Sequence, residues 1–328
     1  MMSKLRWGLL STAKINGKLI PAIRNSKQSE LVAIASRGEE KARSYARQWH
    51  IPHYFGSYDE LLASDDIDVV YMGLPNHMHA EWMIKAMQAG KHVLCEKPFV
   101  LTLEEFDEVL KVKEQTGMKV MEGFMYRHHP QTKMVLKMIS EGKLGDVLAF
   151  DGIFQFKLQD PANIRWNPKF GGGSLWDVGL YPMSFAQLVM GGAPVSVTAE
   201  MRLTDRGVDD LFMGQMEYSD SRFAQIRCGF SMPYTTGVTI LGTKGRVYIE
   251  RPFNDMANHR KILFVEENGK EKWITVPKFD LYTGEVEDLS DAIINNRAPL
   301  LSMEETKNHV KTLLALSIAA KEKRIVNL

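Results

Sequence analysis

The sequence predicts two domains of different fold class. The first is an α/β domain with a doubly wound parallel sheet, and the second is an α+β domain with a large, mainly antiparallel, open-faced sheet backed by helices. Up to about residue 122, short apolar strands alternate with amphipathic helices, which is typical of a parallel sheet covered on both faces. From about residue 147 the strands become longer and are joined by hairpin-type turns. We therefore predict domains at residues 1–125 and 126–328.

The elements of the first domain follow one another regularly. The predicted strands are Arg6–Leu10, Leu31–Ser36, Val69–Met72, Val93–Cys95 and Lys119–Met121. The predicted helices are Asn16–Asn25 (with Pro21 inside it), Glu39–Trp49, Ala80–Ala89 and Leu103 to about Gln115. This alternation is typical of a dinucleotide-binding, Rossmann-type domain.

The second domain begins with a helix, predicted from His129 to about Glu141. The predicted strands that follow are Val147–Phe156, Ser196–Met201, Leu211–Tyr218, Ala224–Ser231, Val238–Gly242, Arg246–Glu250, Ile262–Glu266 and Lys272–Val276. Turns at 219–221 and 267–269 suit hairpins. Further helices are predicted at Leu180–Met190, Gly284–Asn295 and Glu304–Ala320.

Composition and charge exclude several classes of protein. The chain of 328 residues carries a net charge of +1, which argues against nucleic acid or an anionic membrane surface as a partner. Its longest uncharged run, 178–199, is interrupted by prolines and glycines and does not predict a membrane span. The two cysteines, Cys95 and Cys228, are too few for a disulfide framework. We expect a reducing, cytoplasmic location.

The turn from Gly8 to Asn16 lies where a dinucleotide-binding domain holds a pyrophosphate at the start of a helix. Ser11, Ala13 and Asn16 occupy the three positions that usually carry glycine, so the fingerprint is degenerate. An ordinary strand-to-helix turn is an equal alternative for these residues. Their place after the first strand favours a cofactor site. The predicted cofactor-binding residues of this turn are Ser11, Thr12, Ala13, Lys14 and Ile15.

The second predicted strand ends at Ser36 and Arg37. An acidic residue at this point usually binds the ribose hydroxyl of NAD, whereas an arginine suits the 2′-phosphate of NADP. The planar guanidinium makes the charge-assisted contacts that a phosphate favours. A solvated loop arginine is the alternative. We predict that Ser36, Arg37 and Lys41 bind NADP (NADPH), with NAD as the less favoured cofactor.

The turn after the strand Val69–Met72 carries a rigid apolar edge for a nicotinamide and a polar anchor for it. The predicted cofactor-binding residues here are Leu74, Pro75, Asn76 and His79. The pairs His77-x-His79 and His128-His129 raise the alternative of a metal site. No cysteine or carboxylate cluster accompanies either pair, and isolated histidines have many other roles. We therefore predict no metal site.

The segment Lys91 to Pro98 contains a buried strand that ends at a lysine. In an open parallel sheet, the carboxyl ends of the strands border the ligand crevice. Pro98 fixes its own backbone and disfavours helix at Lys97. A surface lysine in a strand-to-helix turn is the alternative. We predict that Glu96 and Lys97 contact the cofactor and that Lys97 is also catalytic.

A glycine-rich loop between two strands of the second domain leads into Asp177 and Tyr181. Three consecutive glycines permit a close backbone approach or positive φ angles. Asp177 and Tyr181 are four residues apart, so on a helix they share a face and can hold a hydroxyl between them. The alternative is a capping aspartate and a core tyrosine. Arg127, Arg165 and Trp166 complete the predicted substrate-binding set.

Together these segments resemble the Gfo/Idh/MocA family of NAD(P)-dependent sugar and polyol oxidoreductases over nearly the whole chain. The most specific stretches are 89–98, which ends in Glu-Lys-Pro, and 171–181. Tyr181, in place of histidine, is similar to the branch with glucose–fructose oxidoreductase, dimeric dihydrodiol dehydrogenase and NADP-dependent xylose dehydrogenase. The resemblance implies a catalytic lysine at Lys97, a catalytic pair at Asp177 and Tyr181, and a cis peptide before Pro98. It also implies a homodimer or homotetramer formed through the sheet of the second domain.

These residues predict an NADP(H)-dependent oxidoreductase that moves a hydride between nicotinamide and a carbinol or carbonyl carbon of a sugar, cyclic polyol or dihydrodiol. Tyr181 would exchange the hydroxyl proton, Lys97 would favour the phenolate and stabilise alkoxide charge, and Asp177 would orient the substrate. One alternative is a non-catalytic NADP-binding sensor of the same fold. Another is an enzyme that oxidises one carbon transiently to drive a different reaction. The presence of both Lys97 and Tyr181 favours catalysis over sensing.

Overall fold

The computed structural model describes residues 4–254 and 261–328. The described residues within Met1–His128 and Asp280–Thr306 form one compact unit, the first unit. Those within His129–Phe279 and Lys307–Leu328 form the second unit. The boundary predicted near residue 125 lies close to the end of the first segment. The predicted second domain, 126–328, is contiguous. In the structure the chain instead returns to the first unit between Asp280 and Thr306.

The first unit is built on a parallel sheet, as the sequence predicts, but the sheet has six strands where five were predicted. Its strands are β1 (Leu5–Leu10), β2 (Ser29–Ala35), β3 (His53–Phe55), β4 (Val69–Met72), β5 (His92–Glu96) and β6 (Val120–Gly123). Their order is β3-β2-β1-β4-β5-β6, that of a doubly wound dinucleotide-binding sheet. The order reverses between β1 and β4, and ligands bind at such a point in open α/β sheets.

Six helices connect or follow these strands. They are α1 (Asn16–Asn25), α2 (Glu39–Trp49), α3 (Tyr58–Leu62), α4 (His79–Gln88), α5 (Leu103–Thr116) and α6 (Met125–His128). Helix α5 shows why the local sequence forms a helix at this place. The Thr102 hydroxyl accepts from the Glu105 amide at 3.1 Å, and the Glu105 carboxylate accepts from the Leu101 amide at 2.8 Å. These reciprocal bonds satisfy amides of the first turn, and Gly117, at φ +70°, ends the helix.

The second unit contains a nine-stranded sheet. Its strands are β7 (Val147–Lys157), β8 (Ser196–Leu203), β9 (Asp209–Glu217), β10 (Phe223–Gly229), β11 (Ser231–Gly242), β12 (Gly245–Ile249), β13 (Lys261–Glu266), β14 (Glu271–Thr275) and β15 (Val326–Asn327). Their order is β14-β13-β12-β11-β7-β10-β9-β8-β15. Strands β7 and β10 pair in parallel and the other neighbours are antiparallel, which confirms the predicted mainly antiparallel sheet.

Strand β11 begins earlier than the sequence predicts, at Ser231 instead of Val238. The added residues include Pro233, and a proline cannot donate to a strand ladder. In the structure the pairing with β7 is irregular between Ser231 and Thr235, and this irregularity accommodates the proline. Strand β11 therefore reaches the neighbourhood of Phe154 and Gln155 on β7.

Helices α7 (Pro130–Ser140) and α8 (Leu180–Met190) belong to the second unit. Helix α8 is apolar on nearly every side because almost all of its side chains are buried. Phe185 of this helix stacks on Phe150 of β7 with ring centroids 6.0 Å apart. Its apolar character thus reflects packing on the inner face of the sheet. Within residues 4–254 and 261–328, no helix is long and apolar enough to cross a membrane.

Two further helices, α9 (Thr283–Ile294) and α10 (Met303–Glu322), follow the last hairpin. Helix α9 packs within the first unit, where Val286 and Leu289 are fully buried. The hydroxyls of Ser29 and Ser290 lie 2.9 Å apart in this core, and Nε2 of His128 lies 3.1 Å from a carboxylate oxygen of Asp288. Burial of the apolar face of α9 explains why the chain returns to the first unit.

Candidate active site

The turn after β1 has the backbone of a phosphate-binding turn although it lacks the usual glycine. Ser11 adopts φ +95°, a conformation that favours glycine. Its amide donates to the carbonyl of Ala35 at 3.1 Å and its hydroxyl donates to the carbonyl of Gly73 at 2.8 Å. These bonds tie the ends of β1, β2 and β4 together. Ser11 therefore takes the structural place of the first glycine.

The residues after Ser11 present unpaired amides at the start of α1. The fully buried Asn16 side chain donates to the carbonyl of Ser11 at 2.7 Å and fixes the turn. The amides of residues 12–15 have no acceptor in the part of the chain that the structure describes. Amides at a helix start are suited to bind an anion. The turn predicted from Ser11 to Ile15 thus fits the pyrophosphate of a dinucleotide.

The residues predicted to select NADP follow β2. Ser36 is buried, and its amide donates to the carbonyl of Phe55 at 3.2 Å. The side chains of Arg37 and Lys41 are exposed, Arg37 just before α2 and Lys41 in its first turn. Two exposed cations near the end of β2 fit a 2′-phosphate. Arg37 thus occupies the position at which NAD-selective domains usually carry an acidic residue.

His79 has a different role from the one predicted. Its ring is fully buried, with Nδ1 2.8 Å from the carbonyl oxygen of Pro98 and Nε2 2.9 Å from that of Leu74. Burial lowers the pKa of His79, and the two carbonyl contacts oppose this shift. A ring with no exposed surface cannot touch a cofactor directly. His79 instead holds the turn after β4 against the turn after β5, while Pro75 and Asn76 remain partly exposed.

The turn after β5 carries Glu96 and Lys97, both partly exposed. The Lys97–Pro98 peptide bond is cis, which confirms the prediction. A carboxylate oxygen of Glu96 accepts from the hydroxyl of Tyr71 at 2.6 Å. Burial, and then the Glu96 charge, raise the pKa of Tyr71 well above its usual value, so the phenol remains a donor.

Two residues that hold this turn were not predicted from the sequence. Tyr71 on β4 binds Glu96, and Glu122 on β6 accepts from the amide of Phe99 at 2.9 Å. Glu122 is buried, with an exposed fraction of 1%. A glutamate inside the apolar strand Val120–Gly123 is the signal that could have identified it, because a buried carboxylate needs donors.

The two histidine pairs weighed as metal ligands have other surroundings. His77 is exposed, His128 contacts Asp288, and Nδ1 of His129 accepts from the Gln131 amide at 3.1 Å at the start of α7. Among the residues at 4–254 and 261–328, no group of three or more His, Cys, Asp or Glu side chains is arranged to hold a metal ion.

In the second unit, Arg165 and Asp177 form an ion pair. Nε of Arg165, in the short 3₁₀ helix Ile164–Trp166, donates to Oδ2 of Asp177 at 2.5 Å. Asp177 lies in a π-helical turn, Leu175–Gly179, that leads directly into α8. Trp166 packs its ring edge-on against Phe230, with centroids 5.5 Å apart. The structure thus brings together the predicted residues Arg165, Trp166 and Asp177.

Tyr181 lies in the first turn of α8 among aromatic side chains. Its ring centroid is 5.5 Å from those of Phe154 and Phe253, and its exposed fraction is 7%. The three residues between Asp177 and Tyr181 span the junction of the π-helical turn and α8. The sequence predicted a helix here but not its π-helical start, a feature often found at functional sites.

Arg127 belongs to the first unit, whereas the other predicted substrate-binding residues belong to the second. Its side chain is 6% exposed, and Nη2 contacts a carboxylate oxygen of Glu305 at 2.9 Å. The prediction expected an arginine available to a substrate. The structure instead shows a buried arginine engaged by Glu305, because a buried charge needs a partner.

Comparisons with known proteins match both parts of the chain. A family model described as an oxidoreductase family with a NAD-binding Rossmann fold matches residues 5–124. A second, described as the GFO/IDH/MocA C-terminal domain, matches residues 132–248. The chain belongs to the Gfo/Idh/MocA oxidoreductase family. The first match contains Lys97, and the second contains Asp177 and Tyr181.

Relatives within the Gfo/Idh/MocA family extend over nearly the whole chain. The chain is 36% identical to D-xylose 1-dehydrogenase (NADP(+)) 2 of Haloferax volcanii, over 99% of this chain and 100% of that protein. It is 31% identical to a trans-1,2-dihydrobenzene-1,2-diol dehydrogenase of Xenopus tropicalis, over 83% of this chain and 81% of that protein. A solved structure of a 3-ketoreductase from Actinomadura kijaniata, in complex with NADP and TDP-benzene, has a TM-score of 0.90 and 28% identity, covering 97% of this chain and 98% of that one.

Proposed function

We propose that this protein is an NADP(H)-dependent oxidoreductase that interconverts a carbinol and a carbonyl on a sugar, cyclic polyol or dihydrodiol. The observation that carries the proposal is the arrangement of Asp177 and Tyr181. A carboxylate fixed by Arg165 lies one helical turn before a phenol that is surrounded by aromatic rings. The relatives named as a xylose dehydrogenase and a dihydrodiol dehydrogenase support this class of substrate.

The residues present in the first unit fit NADP. The unpaired amides of residues 12–15 would bind the pyrophosphate, and Arg37 and Lys41 would bind the 2′-phosphate. The turn at 74–76 and Glu96 would border the nicotinamide. NADP(H), when bound, supplies or accepts the hydride. The likeness to a NADP-dependent relative and to a NADP-bound structure supports NADP over NAD.

The chain's own residues would perform the proton chemistry. The Tyr181 hydroxyl would donate a proton to the carbonyl oxygen in reduction and accept it from the carbinol in oxidation. The Lys97 ammonium would stabilise negative charge that develops on this oxygen. Asp177, fixed by Arg165, would accept a hydrogen bond from a neighbouring substrate hydroxyl. The rings of Phe154 and Phe253 would exclude water around the phenol, which strengthens these interactions.

The alternative of a non-catalytic NADP-binding sensor is less well supported. A sensor needs the cofactor turn but has no use for a proton donor and a lysine at the reacting carbon. This chain retains Lys97, Asp177 and Tyr181. The relatives named above are dehydrogenases and a reductase, which also favours catalysis.

The proposal is tested by spectrophotometry with a substrate panel. Purified protein is mixed with NADP and aldoses, inositols or dihydrodiols, and with NADPH and keto-sugars or diketones, and absorbance at the NADPH band is followed. We expect turnover with at least one polyhydroxy substrate, and tighter binding of NADPH than of NADH. Tight NADPH binding without turnover of any substrate would favour the sensor, and equal binding of NADH would contradict the assigned role of Arg37.

We further propose that the open face of the nine-stranded sheet joins two copies of the chain. Met213, Phe223 and Trp273 are 51%, 51% and 55% exposed, and strand alternation places all three on the face opposite the core. Exposed apolar side chains on a sheet face mark an interaction surface. Light scattering should show a dimer or tetramer, and Met213→Asp should yield a monomer. Ile164→Asp, at an exposed residue of the short 3₁₀ helix Ile164–Trp166, is the control, and a monomeric wild type would contradict the proposal.

A cytoplasmic location is proposed on the state of the cysteines. Cys95 and Cys228 are both free and buried, and burial raises the pKa of each thiol well above its usual value. Such thiols are inert and suit a reducing compartment. Thiol titration of protein purified from the cell should find two thiols only after denaturation, and fewer would contradict the proposal.

A further inference from the structure

Asp209, at the start of β9, has no role in the reaction described so far. Its side chain is buried, with an exposed fraction of 7%. Oδ2 accepts from the hydroxyl of Ser174 at 2.5 Å and from the amide of Leu175 at 2.9 Å. Ser174 and Leu175 are the residues at which the glycine loop enters the π-helical turn. One carboxylate thus binds the start of the segment that carries Asp177.

Gly173 connects Asp209 to the ion pair. A β-carbon at Gly173 would lie only 2.2 Å from Oδ1 of Asp209, so glycine is required for this approach, and its φ of +110° also favours glycine. The amide of Gly173 donates to the carbonyl of Arg165 at 2.9 Å, and its carbonyl accepts from the amide of Asp177 at 3.3 Å. Gly173 is therefore bonded to both members of the Arg165–Asp177 pair.

The other side of the π-helical turn is fixed by Cys228 of β10. Its sulfur lies 3.5 Å from the hydroxyl of Ser174, and a β-carbon at Gly179 would lie 2.7 Å from it. The turn is thus packed closely against the inner face of the sheet. Within this packing, the Asp209 carboxylate bonds to both Ser174 and Leu175 and so holds the start of the turn against β9.

A carboxylate, and not an amide, suits the groups around Asp209. The hydroxyl of Ser174 and the amide of Leu175 both donate to Oδ2, and the backbone amides of Asp209 and Ser174 also favour a lower pKa of the carboxyl. Burial raises the pKa of Asp209, and these donors oppose the shift by favouring the charged form. An asparagine has the same shape but lacks the negative charge that these donors stabilise.

We propose that Asp209 is a positioning residue for the reaction, because it fixes the Gly173–Leu175 segment and through it the placement of Asp177 relative to Arg165. This inference deepens the proposed function and rests on it. Asp209 itself bonds to Ser174 and Leu175 and not to Arg165 or Asp177. Its contribution is to hold the substrate-orienting carboxylate in the geometry needed for turnover.

The test is Asp209→Asn, an isosteric change, with Asp210→Asn as the matched control. Asp210 is the next residue of β9 and points to the opposite side, where its carboxylate accepts from Arg202 at 2.8 Å and from Ser231. Both variants are assayed at a temperature at which circular dichroism shows them fully folded. We expect kcat of Asp209→Asn to fall at least about tenfold with NADPH affinity within about twofold of wild type, and Asp210→Asn to keep its kcat.

Crystal structures of the two variants provide a readout that does not depend on activity. We expect the Arg165 Nε to Asp177 Oδ2 bond to be lost in Asp209→Asn and kept in Asp210→Asn. An unchanged bond, or unchanged kcat, in Asp209→Asn overturns the inference. If the wild type turns over none of the panel, the proposed function fails, and the crystal structures still decide whether Asp209 positions the turn. If Asp209→Asn does not fold, Ser174→Ala is tested in its place, because it removes one of the two hydrogen bonds to Asp209. An unchanged Arg165–Asp177 bond or an unchanged kcat in Ser174→Ala would likewise overturn the inference.

Discussion

Nε of Arg165 donates to Oδ2 of Asp177 at 2.5 Å, although the two residues lie on opposite sides of the glycine loop. The Asp177 side chain is 14% exposed and that of Arg165 is 39% exposed, so the pair is partly screened from water. A charge-assisted bond of this kind fixes the direction of the carboxylate. Arg165 thereby acts on the substrate through Asp177.

Loss of the arginine should therefore weaken substrate binding. We expect Arg165→Ala to raise KM for the sugar about tenfold or more, because Asp177 loses the donor that orients it. Arg165→Lys, which keeps the charge without the planar fork, should give a smaller increase. Steady-state kinetics measure both effects. Arg206→Ala is the control, since Arg206 in the same unit donates to the carbonyl of Pro161 and not to Asp177. Equal KM values for Arg165→Ala and wild type would contradict this role.

Tyr181→Phe removes the proton donor and keeps the ring that packs against Phe154 and Phe253. We expect kcat to fall by about 10²–10⁴-fold, the usual contribution of general acid–base catalysis. The midpoint of thermal unfolding should stay close to that of wild type. Tyr234→Phe serves as the control, because Tyr234 also lies near Phe154 but is exposed. A variant at Tyr181 with near-normal kcat would exclude the phenol as the proton donor.

Lys97→Ala should abolish most of the turnover and leave the fold intact. The lysine is partly exposed, while the neighbouring turn is held by Tyr71, Glu122 and His79. Removing an ammonium that stabilises charge on the substrate oxygen should lower kcat by about 10²–10³-fold. Lys111→Ala, on the exposed surface of α5, should behave as wild type. The proposed role of Lys97 does not survive a Lys97→Ala enzyme that turns over normally.

Arg37→Asp should shift cofactor preference from NADP(H) toward NAD(H). An aspartate at the end of β2 repels a 2′-phosphate and accepts hydrogen bonds from a ribose hydroxyl. Fluorescence titration of NADPH and NADH against both proteins measures the change. Arg47→Asp provides an equal change of charge at an exposed residue within α2. If Arg47→Asp shifts the preference for NADPH over NADH as much as Arg37→Asp does, the effect comes from net charge. The proposed contact of Arg37 with the 2′-phosphate would then be wrong.

Glu285 on α9 should make the stability of the protein depend on pH. The side chain is buried, and neither carboxyl oxygen has a hydrogen-bond partner among the described residues. Burial raises its pKa well above the value of 4.5 for a free glutamate, and the charges of Glu96 and Asp280 add to this effect. The folded state therefore keeps a proton that the unfolded state releases above about pH 4.5, so the free energy of unfolding falls as pH rises.

Glu285→Gln removes this titration and should stabilise the protein at pH 8. We expect a gain of about 1 kcal/mol or more in the free energy of unfolding, vanishing near pH 4, as measured by urea denaturation. Glu287→Gln, at an exposed residue of the same helix, should show no such pH-dependent gain. Parallel pH profiles for Glu285→Gln and wild type would mean that Glu285 is ionised in the folded protein.

Elements with regular apolar spacing were predictable from the sequence, whereas short ones were not. Helix α2 and strand β4 begin and end where predicted, at Glu39–Trp49 and Val69–Met72. Strand β3 and helix α3 have three and five residues, too few for a periodic pattern. The sequence did contain one signal for α3, the Ser-x-x-Glu pattern at residues 57–60 that is typical of a helix start. In the structure the hydroxyl of Ser57 accepts from the amide of Glu60 at 3.2 Å.

The residues that carry the chemistry of the site could be predicted from the sequence, but the hydrogen bonds that join them could not. Arg165 and Asp177 were both named, yet their bond depends on the path of the loop between them. The positive φ of Ser11 depends on its bonds to β2 and β4. Asp209 is 35 residues from Ser174 in the chain, so local spacing gives no sign of their contact. Tertiary contacts between distant segments decide such features.

The return of the chain to the first unit between Asp280 and Thr306 has a consequence for synthesis on the ribosome. The nascent chain contains all six parallel strands once residue 123 is made, but the core around Ser29 and His128 stays open until α9 supplies Ser290 and Asp288. At about 5–20 residues per second, translation leaves that core incomplete for many seconds. During this interval the growing polypeptide exposes apolar surface that chaperones recognise. The first unit, although its strands are translated first, therefore cannot finish folding until Thr306 has been made, close to the end of the chain.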